Sequence, residues 1–214
     1  MAAYGYDKLK DVDEVIFANN SCYGPVFPFE EMFSKMETED NDFWGVTAFP
    51  ECIASKRAEA AHLPDGRIPR HLQSFFMVFT HNVINSHIFR EFWTSVKDEK
   101  DILRVVAEHE TRLTHFFEHH GYKWNCYIQA SIPMQEQNNH LVEFNAIYSQ
   151  PVDFIVLRCP LIKKKFTVYA CEQILETIDV VAQIEPQLGR LMRDELVSDV
   201  SGCSPLNADI DLKA

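Results

Sequence analysis

Glycine is scarce, at 7 of 214 residues, so each one is expected to answer a backbone demand that other residues cannot meet. Paired thiols are missing too. The six cysteines (22, 52, 126, 159, 171 and 203) form no C-x-x-C motif and lie scattered in apolar or mixed surroundings, as reduced structural thiols do. No apolar run is long enough to span a bilayer, and no leader-like stretch follows Met1. A reducing, cytoplasmic setting is therefore expected, peripheral to a membrane at most. There Asn19-Asn20-Ser21, formally an N-x-S acceptor, is not a glycosylation site. Basic residues are outnumbered, 20 against 32 acidic ones, for a net charge of −12. That balance excludes nucleic acid as a partner. The one basic cluster, Lys163-Lys164-Lys165, is too short to reverse it.

What is present is apolar and aromatic. Hydrophobic residues make up 46% and aromatic residues 12%, with 16 Phe, which points to a dense aromatic core or a stacking surface. Residues 13–18 (DEVIFA), 42–49 (DFWGVTAF), 72–80 (LQSFFMVFT) and 123–130 (KWNCYIQA) read as strands. Residues 28–40 read as a helix: Pro28 and two glutamates suit its first turn, and Phe29, Met32, Phe33 and Met36 share one face. Further helices are predicted over 85–96 and 101–120, the latter stopped by Gly121. Residues 153–160 suit a strand or a helix start. Residues 169–197 are mostly helical with a break near Pro186, and the tail from Ser198 is expected to fray. Residues 50–70 and 131–148 read as loops. The order predicts an α/β fold, a mixed β-sheet flanked by helices.

Three stretches carry polar groups where chemistry is expected. In "FANNSCYGP" a strand ends in Asn19, Asn20 and Ser21, whose amides and hydroxyl suit a sugar or weak cation ligation; a plain turn explains them at least as well. In "RHLQSFF", residues Arg70, His71, Gln73 and Ser74 lead into a buried strand and suit a polyol or phosphate, or are only a lead-in. In "AEHETRLTHFFEHHGYKW", Glu108 and Glu110 head a helix, as dipole-favoured carboxylates or as a general base. His109-Glu110 begins H-E-x-x-H, but Leu113 fills the fifth position. His115 and His119, four apart, lack a third metal ligand, so a solvated face accounts for them better than a hydrolytic metal site.

Taken together, "DEVIFANNSCYGPVFPFEEMFSKMETEDNDFWGVT", "HLQSFFMVF", "FREFW", "EHETRLTHFFEHHGYKWNCYI" and "CPLIKKKF" resemble the rhamnan synthesis protein F family, from about Tyr4 to Phe166. The resemblance implies a GT-A-like glycosyltransferase domain over 1–168, followed by a helical extension and acidic tail over 169–214. It implies transfer of a sugar such as rhamnose from a nucleotide-sugar donor to a glycan acceptor, a growing surface polysaccharide or lipopolysaccharide. It places the donor at Asn19, Asn20 and Ser21, the sugar and acceptor pocket at His71, Gln73, Ser74 and Trp44, and the catalytic base at Glu110. A divalent cation, manganese or magnesium, belongs to such enzymes; Asn20 stands where the family has Asp, and an amide holds a cation weakly. The resemblance begins in the middle of the family domain, which implies a fragment, a partner chain or domain that supplies the N-terminal half against an open sheet edge, or a degenerate relative. The alternative is a non-catalytic glycan-binding or assembly module derived from such an enzyme.

Overall fold

Period-two alternation along the apolar runs builds one mixed sheet between two cores. The structure, a computed structural model, describes residues 5–53, 67–129 and 146–202. Strands β1 (Glu14–Ala18), β2 (Cys22–Tyr23), β3 (Phe43–Phe49), β4 (Cys52–Ile53), β5 (Arg67–Ile68), β6 (His71–Leu72), β7 (Phe76–Thr80), β8 (Trp124–Ile128) and β9 (Ile162–Lys163) follow in chain order. β1 pairs antiparallel with β7, β7 antiparallel with β3, and β3 parallel with β8, while β6 joins the last two residues of β3. Phe43, Met77 and Phe79 point into one core, with Phe89, Phe92 and Phe117. Trp44, Val46, Phe76 and Val78 point into the other, with Met32, Met36 and Phe154. Burial on both faces explains why these strands read as continuous apolar runs.

Helices α1 (Phe29–Glu37), α2 (His81–Ile84), α3 (His87–Ser95), α4 (Ile102–Val105), α5 (Arg112–His119), α6 (Ala146–Ser149), α7 (Pro151–Val156), α8 (Phe166–Tyr169), α9 (Ile174–Ile184) and α10 (Pro186–Gly202) flank the sheet. Ser86 caps α3, its hydroxyl accepting from the Phe89 amide at 3.1 Å. Gly121, at φ +86°, donates to the Glu118 carbonyl and closes α5, as expected of a C′ glycine. α9 and α10 pack on Tyr23, Val26, Phe27, Ile155 and Phe166 in a third apolar cluster. None of the helices among the described residues is long and apolar enough to cross a membrane.

Several expectations need correction. The predicted strand over 72–80 is two strands, interrupted at residues 73–75. The predicted helix over 101–120 contains a π-helical segment, Val106–Thr111, between α4 and α5. Of the two readings of residues 153–160, the helical one holds, since they open within helix α7. The last helix runs to Gly202, past Ser198. Within the predicted loop 50–70, β4 pairs with β5, and the rest of it, 54–66, lies outside the described residues, as do 131–145. Cys22, Cys126 and Cys159 are free thiols, as expected of structural cysteines, and burial pushes that of Cys159 up to about 12.

One glycine positions the site directly. Gly24 has φ +153°, and a Cβ there would lie 2.6 Å from the Pro160 carbonyl oxygen and 2.7 Å from Leu161 Cδ2. This close approach lets β2 pair with β9, register Cys22 to Lys163. Gly24→Ala is expected to destabilise the protein by about 1–3 kcal/mol, because backbone on the facing segment must move to admit the methyl group. A fall in the urea midpoint at unchanged m-value checks it.

Candidate functional site at the carboxyl ends of the strands

β1, β3 and β8 run in one direction, so their carboxyl ends lie at the same end of the sheet. Open α/β sheets bind ligands at that end. Asn19 is the first residue beyond β1. Its amide donates to the Phe75 carbonyl at 3.1 Å, tying the strand end to the segment that leads into β7. Its side-chain Oδ1 accepts from the Ser21 amide at 3.1 Å and from the Ser21 hydroxyl. This is an Asx turn, and it explains why an apolar strand stops at three small polar residues. Asn20, at the tip, is exposed.

The interruption at residues 73–75 opens the ladder, and its amides find partners elsewhere. Leu72 N–H donates to Thr114 Oγ1 at 2.9 Å and Gln73 N–H to the Thr47 carbonyl at 3.1 Å. Ser74 turns to Glu110: its hydroxyl donates to Oε2 at 3.0 Å and its amide approaches Oε1 at 3.5 Å. Glu110 and Thr114, one helical turn apart, thus reach the same broken segment. Glu110 lies within the π-helical segment, a feature found often at functional positions. With two donors on four lone-pair positions, its carboxylate can still accept a proton or a hydroxyl.

A fifth contributor reads in the sequence only as part of a basic cluster. Lys163, in β9, donates from Nζ to Ser21 Oγ at 2.5 Å and lies 4.7 Å from the Phe75 ring centroid and 5.8 Å from that of Tyr148. It is 6% exposed. Burial holds its ammonium below the usual lysine range; Cys22 and the charge of Glu110 pull it back up, and Lys165 lowers it further. The sequence carries no local signal for it: Ile162 and Lys163 are adjacent and both buried, so strand alternation does not single out the lysine.

The Asn19–Phe75 bond thus sets the Asn19–Ser21 turn beside the segment that carries the Ser74–Glu110 pair, and Lys163 bonds Ser21 and lies over the Phe75 ring. The other predicted residues are placed elsewhere. His71 is 1% exposed, its Nδ1 2.8 Å from the Pro69 carbonyl. Gln73 is buried and accepts from Thr47 Oγ1 at 2.7 Å. Trp44 is 2% exposed, packed edge-on with Phe33 and tilted against Phe76. It lines a cavity of about 210 Å³ with Glu14, Glu37 and Thr80, at the opposite end of β1. His115 pairs with Glu118 at 3.3 Å, and His119 is exposed beside His120.

The fold and this end of the sheet define an α/β protein with a polar, partly buried strand-end site, the class in which transferases are found. A family model described as rhamnan synthesis protein F matches residues 1–194, and the chain belongs to that family. Membership implies a part in rhamnan polysaccharide synthesis. No curated protein and no solved structure matches the chain.

The strand end suits a divalent cation poorly. Its oxygens come from neutral amides and a hydroxyl, Asn19 Oδ1 already accepts from Ser21, and a buried ammonium sits 2.5 Å from Ser21 Oγ. A dication there would meet that positive charge at close range in a low-dielectric site. Among the described residues no group of three or more His, Cys, Asp or Glu is placed to share a metal ion.

Proposed function

We propose that this chain is a glycosyltransferase of the GT-A kind, moving a sugar such as rhamnose from a nucleotide-sugar donor onto a growing surface polysaccharide or lipopolysaccharide. The observation that carries the reading is the closeness of the segment bearing the Ser74–Glu110 pair to the Asn19–Ser21 turn where the same-direction strands end. Ser74 orients the Glu110 carboxylate. Glu110 takes the proton of the acceptor hydroxyl as its oxygen bonds to the sugar's C1, and the bond from C1 to the nucleoside diphosphate breaks. Asn19, Asn20 and Ser21 supply amide and hydroxyl groups to the donor. In this reading a partner chain or domain holds the nucleotide base. It seats on the edge of β1, which pairs with β7 alone among the described residues and where Ile16 is 48% exposed. The work is placed in the cytoplasm, at the periphery of the membrane.

The test is release of nucleoside diphosphate from a panel of nucleotide sugars in the presence of a rhamnan acceptor. Turnover of one donor supports the reading, and turnover of none sinks it. A second reading, a non-catalytic glycan-binding or assembly module, is favoured by the uncharged Asn20 at the strand tip; it predicts glycan binding without turnover.

A further inference from the structure

A buried ammonium without a counter-ion is expensive to keep, and chains that keep one generally use it. Lys163 is such a group: 6% exposed, with no carboxylate within ion-pair distance among the described residues, and with one hydrogen bond, to Ser21, for its three donors. Its neighbours in chain, Lys164 and Lys165, differ: Lys164 pairs with Glu195 at 3.4 Å and Lys165 is exposed. The rings of Phe75 and Tyr148 flank the Lys163 ammonium and keep water from it without neutralising it. Beside it the Ser21 hydroxyl and the Asn19 side chain bonded to it supply neutral hydrogen-bonding groups next to one positive charge, while the Glu110 carboxylate acts on that charge from beyond ion-pair distance. That set is complementary to an anion and opposed to a cation.

We propose that Lys163 binds the diphosphate of the activated-sugar nucleotide and neutralises its leaving charge, in the place a divalent cation would otherwise take. This rests on the transferase reading for the identity of the ligand, though the anion site itself stands on Lys163 and Ser21. As the bond from C1 to the diphosphate oxygen breaks, the electron pair goes to that oxygen. A fixed ammonium stabilises the negative charge there with no metal to be recruited. The ammonium stays protonated throughout.

The experiment is calorimetric titration of inorganic diphosphate into the full chain in EDTA, repeated with Lys163→Met, Lys163→Gln and Lys165→Met, with thermal melting of each. The expected result is diphosphate binding that survives EDTA, is weakened about tenfold or more by both Lys163 variants, and is nearly unchanged in Lys165→Met. Lys163→Met is also expected to melt about 2–4 °C higher than the parent, because it removes an unpaired buried charge. Lys163→Gln keeps a donor for Ser21, so it separates charge from hydrogen bond if the Met variant folds poorly. Binding that requires manganese, equal affinity in parent and both variants, or no binding at all overturns the proposal. Tighter competition by a prenyl diphosphate than by nucleoside diphosphates also overturns it, since the site would then serve a lipid-linked acceptor. The transferase reading stands or falls separately, on turnover of a nucleotide sugar.

Discussion

Glu110→Gln is expected to slow sugar transfer by about 10²–10⁴-fold while leaving donor affinity nearly unchanged. Gln is nearly isosteric with Glu, and its carbonyl oxygen can still accept from the Ser74 hydroxyl, which lies 3.0 Å from the carboxylate. The loop at residues 73–75 and the π-helical segment therefore keep their tie, and what disappears is a base able to take the acceptor's proton. The measurements are turnover under saturating donor and calorimetric donor binding on the same preparation. A fall in turnover with retained binding places Glu110 in the chemical step, since a group lost only from the transition state lowers the rate constant and spares ground-state affinity. Unchanged turnover removes Glu110 from the mechanism.

Phe117→Ala is expected to cost about 3–5 kcal/mol of stability. Phe117 is fully buried and sits at the centre of the aromatic core. Its ring lies 5.4 Å from Phe79, 5.5 Å from Phe43 and Phe92, and 5.9 Å from Tyr122. Truncation leaves a ring-sized void that these stiff neighbours cannot fill by small shifts. Against the roughly 5–15 kcal/mol typical of a folded domain, that is a large share. The loss also reaches the site, because α5 carries Thr114 to Leu72 and follows directly on the segment that carries Glu110 to Ser74. Urea denaturation reads the effect as a lower midpoint at unchanged m-value, and residual turnover should fall further than the unfolded fraction alone explains.

Where the sequence was legible, burial periodicity made it so. β1, α1, β3, α3 and β8 follow from alternation or from apolar residues three and four apart, and Gly121 marked its helix end because only a left-handed residue closes that turn. The site was half legible. Asn19 and Ser21 stood out as polar groups at a strand end, and Ser74 and Glu110 as polar groups beside apolar runs. Local pattern could not show that the two pairs lie on neighbouring segments, because that arrangement depends on a strand breaking at Gln73. That break is driven by amides that find Thr47 and Glu110 in place of ladder partners. The π-helical segment has no local signature for the same reason. Trp44 read both ways: aromatic platforms and core tryptophans look alike in sequence, a tryptophan inside a strand is more often core, and burial at 2% puts it there. Lys163 was hidden by its neighbours. Three successive lysines read only as a short basic cluster, and the register of β9 against Cys22 sends the first of them inward.

The bond between Lys163 and Ser21 joins residues 142 apart in the chain. At ribosomal rates of about 5–20 residues per second, roughly 7–28 seconds separate the synthesis of its two ends. β1 meets its partner β7 much earlier, so the sheet can form while the strand end is still only a turn. The ribbon of β2 and β9 is a late clasp to close and, being just two residues wide on each side, a short one. In the finished protein the same clasp can open locally without unmaking the sheet. Amide exchange at Lys164, which donates to the Ser21 carbonyl at 2.9 Å, should therefore run faster than in β3, and a bound diphosphate should slow it.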